Sequence, residues 1–377
     1  MASPGPLKNW DWCDKKLNHT KNLPEKLTQS FLREAFLHET GQALIQWTEG
    51  GVRMEQGAQM IFALFGGLAM FLYGMDRMSR ALQRAAGDAM KRLLARLTAT
   101  PLLGVLTGLV VTAVLQSSSA ATVMVIGFVS AGLLELPRAV AVIYGINIGT
   151  TMTAQLIAFD AQALVYPVLF LGFAVDFAAR SPRRQAVGEA LFSFGLLFEG
   201  IGILSSALQP LAGQEVFLAW MTRVQQSLLL GILLGLGMTM VVQSSSATIA
   251  LLQNVAEQPG PDGIHSVLGL AGAVPILLGD NIGTTVTALL ACVGQGKDAL
   301  RAALAHSCFN LSGSLLAAAL LPWFVRLVEF VSPKGPELEV ISRQIANAHT
   351  LFNVLCALLW LPFLRWMVKL VCILVPE

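Results

Sequence analysis

Gln116-Ser117-Ser118-Ser119-Ala120 sits inside the apolar run 101–134, and the same five residues return as Gln243-Ser244-Ser245-Ser246-Ala247 inside 226–256. Four hydrogen-bonding side chains in a row cost free energy in hydrocarbon unless each finds a partner. Two copies in matching surroundings point to a duplicated unit whose halves bring their polar breaks to one shared site.

Reading outward, the repeat extends in both directions. Gly74, Ser79, Ala81 and Leu82 match Gly200, Ser205, Ala207 and Leu208 at an offset of 126, and the Gln-Ser-Ser-Ser copies lie 127 apart. Gly145-Ile146-Asn147-Ile148-Gly149-Thr150-Thr151 matches Gly279-Asp280-Asn281-Ile282-Gly283-Thr284-Thr285 at an offset of 134. The added length fits the Pro- and Gly-containing loop at 257–265. Each half thus holds an entry helix, a Gln-Ser-Ser-Ser break and an Asn-Ile-Gly-Thr-Thr break, in that order.

Composition sets the class. Of 377 residues, 55% are hydrophobic and 13% charged, with mean hydropathy +0.65. Soluble domains carry nearly twice that share of charge. The long apolar stretches make this a polytopic helical membrane protein, with the lipid bilayer as its surroundings. A net charge of +2 without a basic cluster excludes nucleic acid as a partner. The five cysteines show no metal-ligand or redox spacing and read as small packing residues. Residues 1–56 differ. They carry seven Lys/Arg and seven Asp/Glu and no membrane-length run, and they read as a polar, poorly ordered extension, or as an amphipathic helix near 27–47.

Segments 101–115 and 119–134 are each too short to cross a bilayer, which needs about 20 residues. They read as arms of a re-entrant hairpin with residues 116–119 at the tip, and 226–242 with 246–256 as a second one. Six basic residues between Arg77 and Arg96, against Arg223 alone in the matching stretch 209–225, put the first stretch in the cytoplasm and leave the second free to face out. The expected architecture is therefore all-α and polytopic: two inverted repeats, 57–187 and 188–377, each with a re-entrant helical hairpin and a broken helix.

The chemistry of the breaks is that of an anion and cations. Helical arms beginning near Ser118 and Ser245 present free N–H groups and a favourable dipole to an oxyanion. Hydroxyls, unwound carbonyls and the Asn147 and Asn281 side chains are hard oxygen ligands suited to Na⁺. Asp280, beside a break, is a further candidate for cation binding. A serine nucleophile is disfavoured, since neither triplet lies in a G-x-S-x-G turn. No P-loop is present, which excludes an ATP-driven pump of that type.

At these residues the chain resembles the type II sodium–phosphate cotransporter family, over roughly residues 60–372. The resemblance implies secondary active, sodium-coupled movement of inorganic phosphate across the cell membrane, with Na⁺ as coupling ion and no other cofactor. It implies phosphate binding by Gln116, Ser117, Ser118, Ser119, Gln243, Ser244, Ser245 and Ser246. It points to Na⁺ binding by Asn147, Thr150, Thr151, Asn281, Thr284 and Thr285, with Ser119, Ser246 and Asp280. Phosphate export, or carriage of a related oxyanion such as arsenate, is the alternative. Ala305-His306 with Phe309-Asn310, and Ala348-His349 with Phe352-Asn353, resemble a further family pattern. Many bacterial members carry a PhoU-like domain; this chain ends at Glu377 without one, leaving a separate PhoU-like regulator and a homo-oligomer open as partners.

Overall fold

The computed structural model describes residues 25–96, 100–159, 162–212 and 214–376. Two compact units divide the chain, Met1–Phe62 and Ala63–Glu377. Residues 1–24, and side chains up to residue 58, lie outside the described residues. The expectations for 1–56 that depend on them lie there too.

Fourteen α-helices and no named strand occur among the described residues: α1 (Glu25–Arg96), α2 (Pro101–Leu115), α3 (Ser118–Ser130), α4 (Leu136–Ile157), α5 (Val165–Phe177), α6 (Pro182–Ala212), α7 (Glu215–Gln226), α8 (Leu228–Val242), α9 (Ser245–Ala256), α10 (Gly269–Ala291), α11 (Lys297–Ala319), α12 (Leu321–Val331), α13 (Glu337–Trp360) and α14 (Leu364–Leu374). The protein is an all-α, multi-pass membrane protein. Among the described residues, five helices are long and apolar enough to cross a bilayer alone: α4, α10, α11 and stretches of α1 and α6. The α7–α8 and α13–α14 pairs qualify only together, bent by 109° and 85°. The apolar run 344–375 is thus divided between two helices.

The arms α2, α3, α8 and α9 have 15, 13, 15 and 12 residues. At 1.5 Å per residue each falls short of a bilayer's hydrocarbon core of about 30 Å. Contacts trace each pair out and back. Gly104 of α2 lies against Ala141 near the start of α4, and Leu109 lies against Gly149 further along, so α2 and α4 run parallel. The chain returns through α3 to the start of α4. In the second half, Gly231 lies against Pro275 and Leu236 against Gly283, so α8 and α10 are parallel as well. Gln225 donates to the Val267 carbonyl (3.0 Å) and Ser266 to that of Ala256 (2.6 Å), which puts the start of α8 and the end of α9 together at the head of α10.

The halves are inverted. Ser130, ending α3, donates to Gln295 (2.7 Å), just past the end of α10. Gln253 in α9 donates to the Ala154 carbonyl (3.2 Å) near the end of α4 and to that of Ser342 (3.0 Å) near the start of α13. The head of α4 therefore shares a side with the tail of α10, and its tail shares a side with α9 and the head of α10.

Glycine makes the parallel crossings close. A Cβ at Gly108 would sit 2.0 Å from the Val142 oxygen and one at Gly145 would sit 1.8 Å from that of Val105. The repeat gives the same numbers: 1.9 Å from Gly235 to Ile276 and 2.0 Å from Gly279 to Ile232. All four belong to Gly-x-x-x-Gly pairs, the pattern that lets membrane helices meet backbone to backbone.

One expectation fails here. The Asn-Ile-Gly-Thr-Thr segments are not breaks; they lie inside the continuous helices α4 and α10. Asn147 and Asn281 donate to the carbonyls four residues earlier, Ile143 (2.9 Å) and Leu277 (2.8 Å), and the flanking glycines serve packing. No unwound carbonyl is offered at these positions.

Candidate functional site

Both breaks have the same backbone solution. Gln116 ends α2 at φ 50° and Gln243 ends α8 at φ 56°, and they are the non-glycine residues with positive φ among those described. Such a conformation costs about 1–2 kcal/mol for an L-residue. Here it reverses the chain within two residues. Ser117 and Ser244 then cap the next helix, each Oγ accepting from the N–H three residues on, Ala120 (3.2 Å) and Ala247 (3.3 Å). Capping uses a lone pair of each serine and leaves its O–H able to donate. The N–H groups of Ser118, Ser119, Ser245 and Ser246 head the helices, where intrahelical partners are lacking. Each tip therefore offers donors to an anion.

The glutamines bond within their own repeats. Gln116 donates to the Ala113 carbonyl and accepts from Thr153 (2.9 Å), while Gln243 donates to Met240 and accepts from Thr287 (3.5 Å). Thr287 also lines a cavity of about 10 Å³ with Ser118, Ser119, Thr122, Thr284, Ala288 and His306. That is room for about one water. One threonine thus touches the second tip and faces the first. The tips converge on α1 too: Ser79 donates to the Leu115 carbonyl (3.1 Å), and one turn earlier the Met75 sulfur meets Ser244 Oγ at 3.8 Å. Of the six serines, Ser245 is buried and the others are half-buried; Gln243 is exposed. A cavity of about 960 Å³ beside Phe217, Trp220 and Leu234 is mainly apolar and lies away from the tips.

The second polar layer is buried and cross-braced. Asn147 Oδ1 lies 3.1 Å from His306 Nε2 and accepts from Asn310 (3.2 Å), both on α11. Asn281 Oδ1 accepts from Asn353 on α13 (3.3 Å). Tyr144 stacks on Phe309 with ring centroids 4.6 Å apart. The paired His-x-x-Phe-Asn segments thus brace one asparagine each. Asn310 and Asn353 were not among the predicted site residues; their signal was the repeated Ala-His/Phe-Asn pattern. Thr150 and Thr284 donate to the carbonyls of Ile146 and Asp280, both at 2.9 Å. Thr151 and Thr285 donate to Ile148 and Ile282, both at 2.8 Å. With their protons so engaged, these hydroxyls keep lone pairs for a cation. Asp280 meets α8, where its Oδ1 accepts from Thr239 at 2.6 Å.

Inverted repeats with helix N-termini turned inward are an arrangement that many membrane transporters share. The model of the Na⁺/Pi-cotransporter family matches the chain twice, over residues 70–206 and 200–329, and the chain belongs to this family of transporters, not enzymes. It is 33% identical to YqeW of Bacillus subtilis (strain 168) over 270 residues, covering 72% of this chain and 84% of that protein. It is 26% identical to YjbB of Escherichia coli (strain K12), whose name proposes inorganic phosphate export, over 71% of this chain and 47% of that one. Against human sodium-dependent phosphate transport protein 2B the identity is 33% over 121 residues, 30% of this chain and 18% of that one. No solved structure matches the chain.

Proposed function

We propose that the protein is a sodium-coupled carrier of inorganic phosphate that works by alternating access, with repeats 57–187 and 188–377. The phosphate is held by Gln116, Ser117, Ser118 and Ser119 from one tip and Gln243, Ser244, Ser245 and Ser246 from the other. The observation that carries this reading is the convergence of both tips on one turn of α1 and on Thr287. Both tips present helix N-termini and serine hydroxyls, and that donor set suits a tetrahedral oxyanion. Thr150, Thr151, Thr284, Thr285, Ser119 and Ser246 supply oxygens for Na⁺, with Asn147 and Asn281 behind them and Asp280 one turn before Thr284, against α8. Co-bound Na⁺ offsets the charge that a desolvated phosphate would otherwise leave unpaired. A cavity of about 10 Å³ is too small for phosphate, so loading requires α3 to part from α10.

Purified protein in proteoliposomes should take up ³²P-phosphate when a Na⁺ gradient is imposed and lose most of that uptake when choline replaces Na⁺. Uptake indifferent to Na⁺ would remove the coupling, and no phosphate flux in either direction would remove the substrate. The similarity to YjbB favours export as a second reading. Efflux from phosphate-loaded vesicles without a Na⁺ gradient is its signature. Arsenate competition measures how far the site separates oxyanions.

A further inference from the structure

The two repeats agree closely around their tips, which makes one disagreement informative. At the offset of 134, Asp280 stands where the first repeat has Ile146, and at 127, Thr248 stands where it has Ala121. Thr239 and Thr112 occupy the same repeat position. In the second repeat the three side chains meet. Thr239 Oγ1 lies 2.6 Å from Asp280 Oδ1 and 3.1 Å from Thr248 Oγ1. Asp280 and Thr248 are fully buried and Thr239 nearly so. In the first repeat the Thr112 hydroxyl is buried with no partner.

The acid is unbalanced. Its Oδ2 is buried with no hydrogen-bond partner. The ion pairs among the described residues leave Asp280 out, and α8 and α9, which pack against it, carry no ionisable side chain. A carboxylate without counter-charge at such depth costs several kcal/mol. The groups around it are a carboxylate and two hydroxyls, an all-oxygen set for a hard cation. One negative charge balances a monovalent ion, whereas Ca²⁺ sites take more oxygens and more carboxylate. Asn281, although adjacent in sequence, turns to Asn353 on another helix, so the two do not share a ligand set.

We infer that Asp280, Thr239 and Thr248 form a Na⁺ site private to the second repeat, additional to any equivalent sites that the two repeats share. It joins α10, α8 and α9, so an ion there holds the second tip to its companion helix. The inference rests on sodium being the coupling ion, and its test is binding rather than transport. Detergent-purified protein is titrated from choline to Na⁺ without phosphate while its melting temperature is followed. Wild type should gain stability with Na⁺. Asp280→Asn, which keeps the shape and a partner for Thr239, should move the Na⁺ midpoint up by about tenfold or more. Thr248→Ala, the residue the first repeat uses, should move it up by about threefold or more. In vesicles, the ²²Na⁺ carried per phosphate should fall by one in Asp280→Asn. Wild-type Na⁺ midpoints in both variants, or a wild type without any Na⁺ response, would overturn the site. Absent phosphate flux with an intact Na⁺ response would instead count against the transport reading alone.

Discussion

At the scale of residues, the proposed site makes the serines that head α3 and α9 the carriers of the tip chemistry, with little part in folding. Ser118→Ala and Ser245→Ala remove one hydroxyl each and leave the caps at Ser117 and Ser244 intact. Each should cut phosphate flux at least about tenfold, the loss of one or two hydrogen bonds to a charged ligand, while melting within a few degrees of wild type. Wild-type kinetics in both would overturn the assignment. A second prediction concerns the loop before α10. His265 Nδ1 lies 2.5 Å from Asp262 Oδ2, and Asp262 Oδ1 accepts from the N–H groups of Ile264 (3.0 Å) and His265 (2.9 Å). The side-chain bond to Asp262, then its charge, raises the His265 pKa, and the side-chain and backbone bonds from His265 lower that of Asp262. The contact is therefore complete between the ordinary carboxylate range and an ordinary histidine's midpoint. It is lost as pH rises through the raised His265 value and as it falls through the lowered Asp262 value. Ring-proton NMR should place His265 above about 6.5, and Asp262→Asn should bring it down. The serine tips were legible because polar runs in apolar sequence have few explanations. Asn310 and Asn353 were not assigned partners, because a helix sequence does not say which neighbour its polar face will meet.

At the scale of elements, the hairpins could be read from arm length, whereas the expected breaks at Asn147 and Asn281 could not survive packing. Glycine beside asparagine signals a loop in water. In a membrane helix the same glycines admit a neighbouring backbone, and the asparagine is satisfied by its own helix and by a brace from α11 or α13. The α8–α10 crossing has a control nearby. In Gly235→Ala the new Cβ would fall 1.9 Å from a backbone oxygen, while at Gly237, two residues along the same helix, it would meet nothing within 4 Å. Gly235→Ala should cost about 3 kcal/mol or more, seen as lost monodisperse protein on size exclusion. Gly237→Ala should melt at or above the wild-type temperature, since alanine is the better helix former. Gly108→Ala should behave like Gly235→Ala. Equal behaviour of Gly235→Ala and Gly237→Ala would mean the crossing is looser than described.

At the scale of the whole molecule, inversion was legible as a contrast in basic residues, and hydrogen bonds between helix ends now give it independently. The loop after α3 and the loop before α10 lie on opposite sides. Exposed Leu133 and Ile264 report on them. In a cysteine-free background, a membrane-impermeant maleimide should label Ile264→Cys from the outer face of sealed vesicles and Leu133→Cys from the inner face; labelling from one side would break the inverted reading. Three short helices bent or stepped off the spans carry a tryptophan with a cation three residues on: Trp220 with Arg223 (5.6 Å), Trp323 with Arg326 (5.4 Å) and Trp366 with Lys369 (5.9 Å). That pairing suits the boundary between lipid tails and headgroups.

The bare contacts at Gly108 and Gly235 constrain how such a molecule can work. Where a carbonyl rests directly against a glycine, no side chain stands between hairpin and companion that could bend to let one travel past the other. Each pair must swing as a single welded body. Because the two bodies are upside-down copies, the alternating access proposed above would have one tilt seal one entrance and uncover the other.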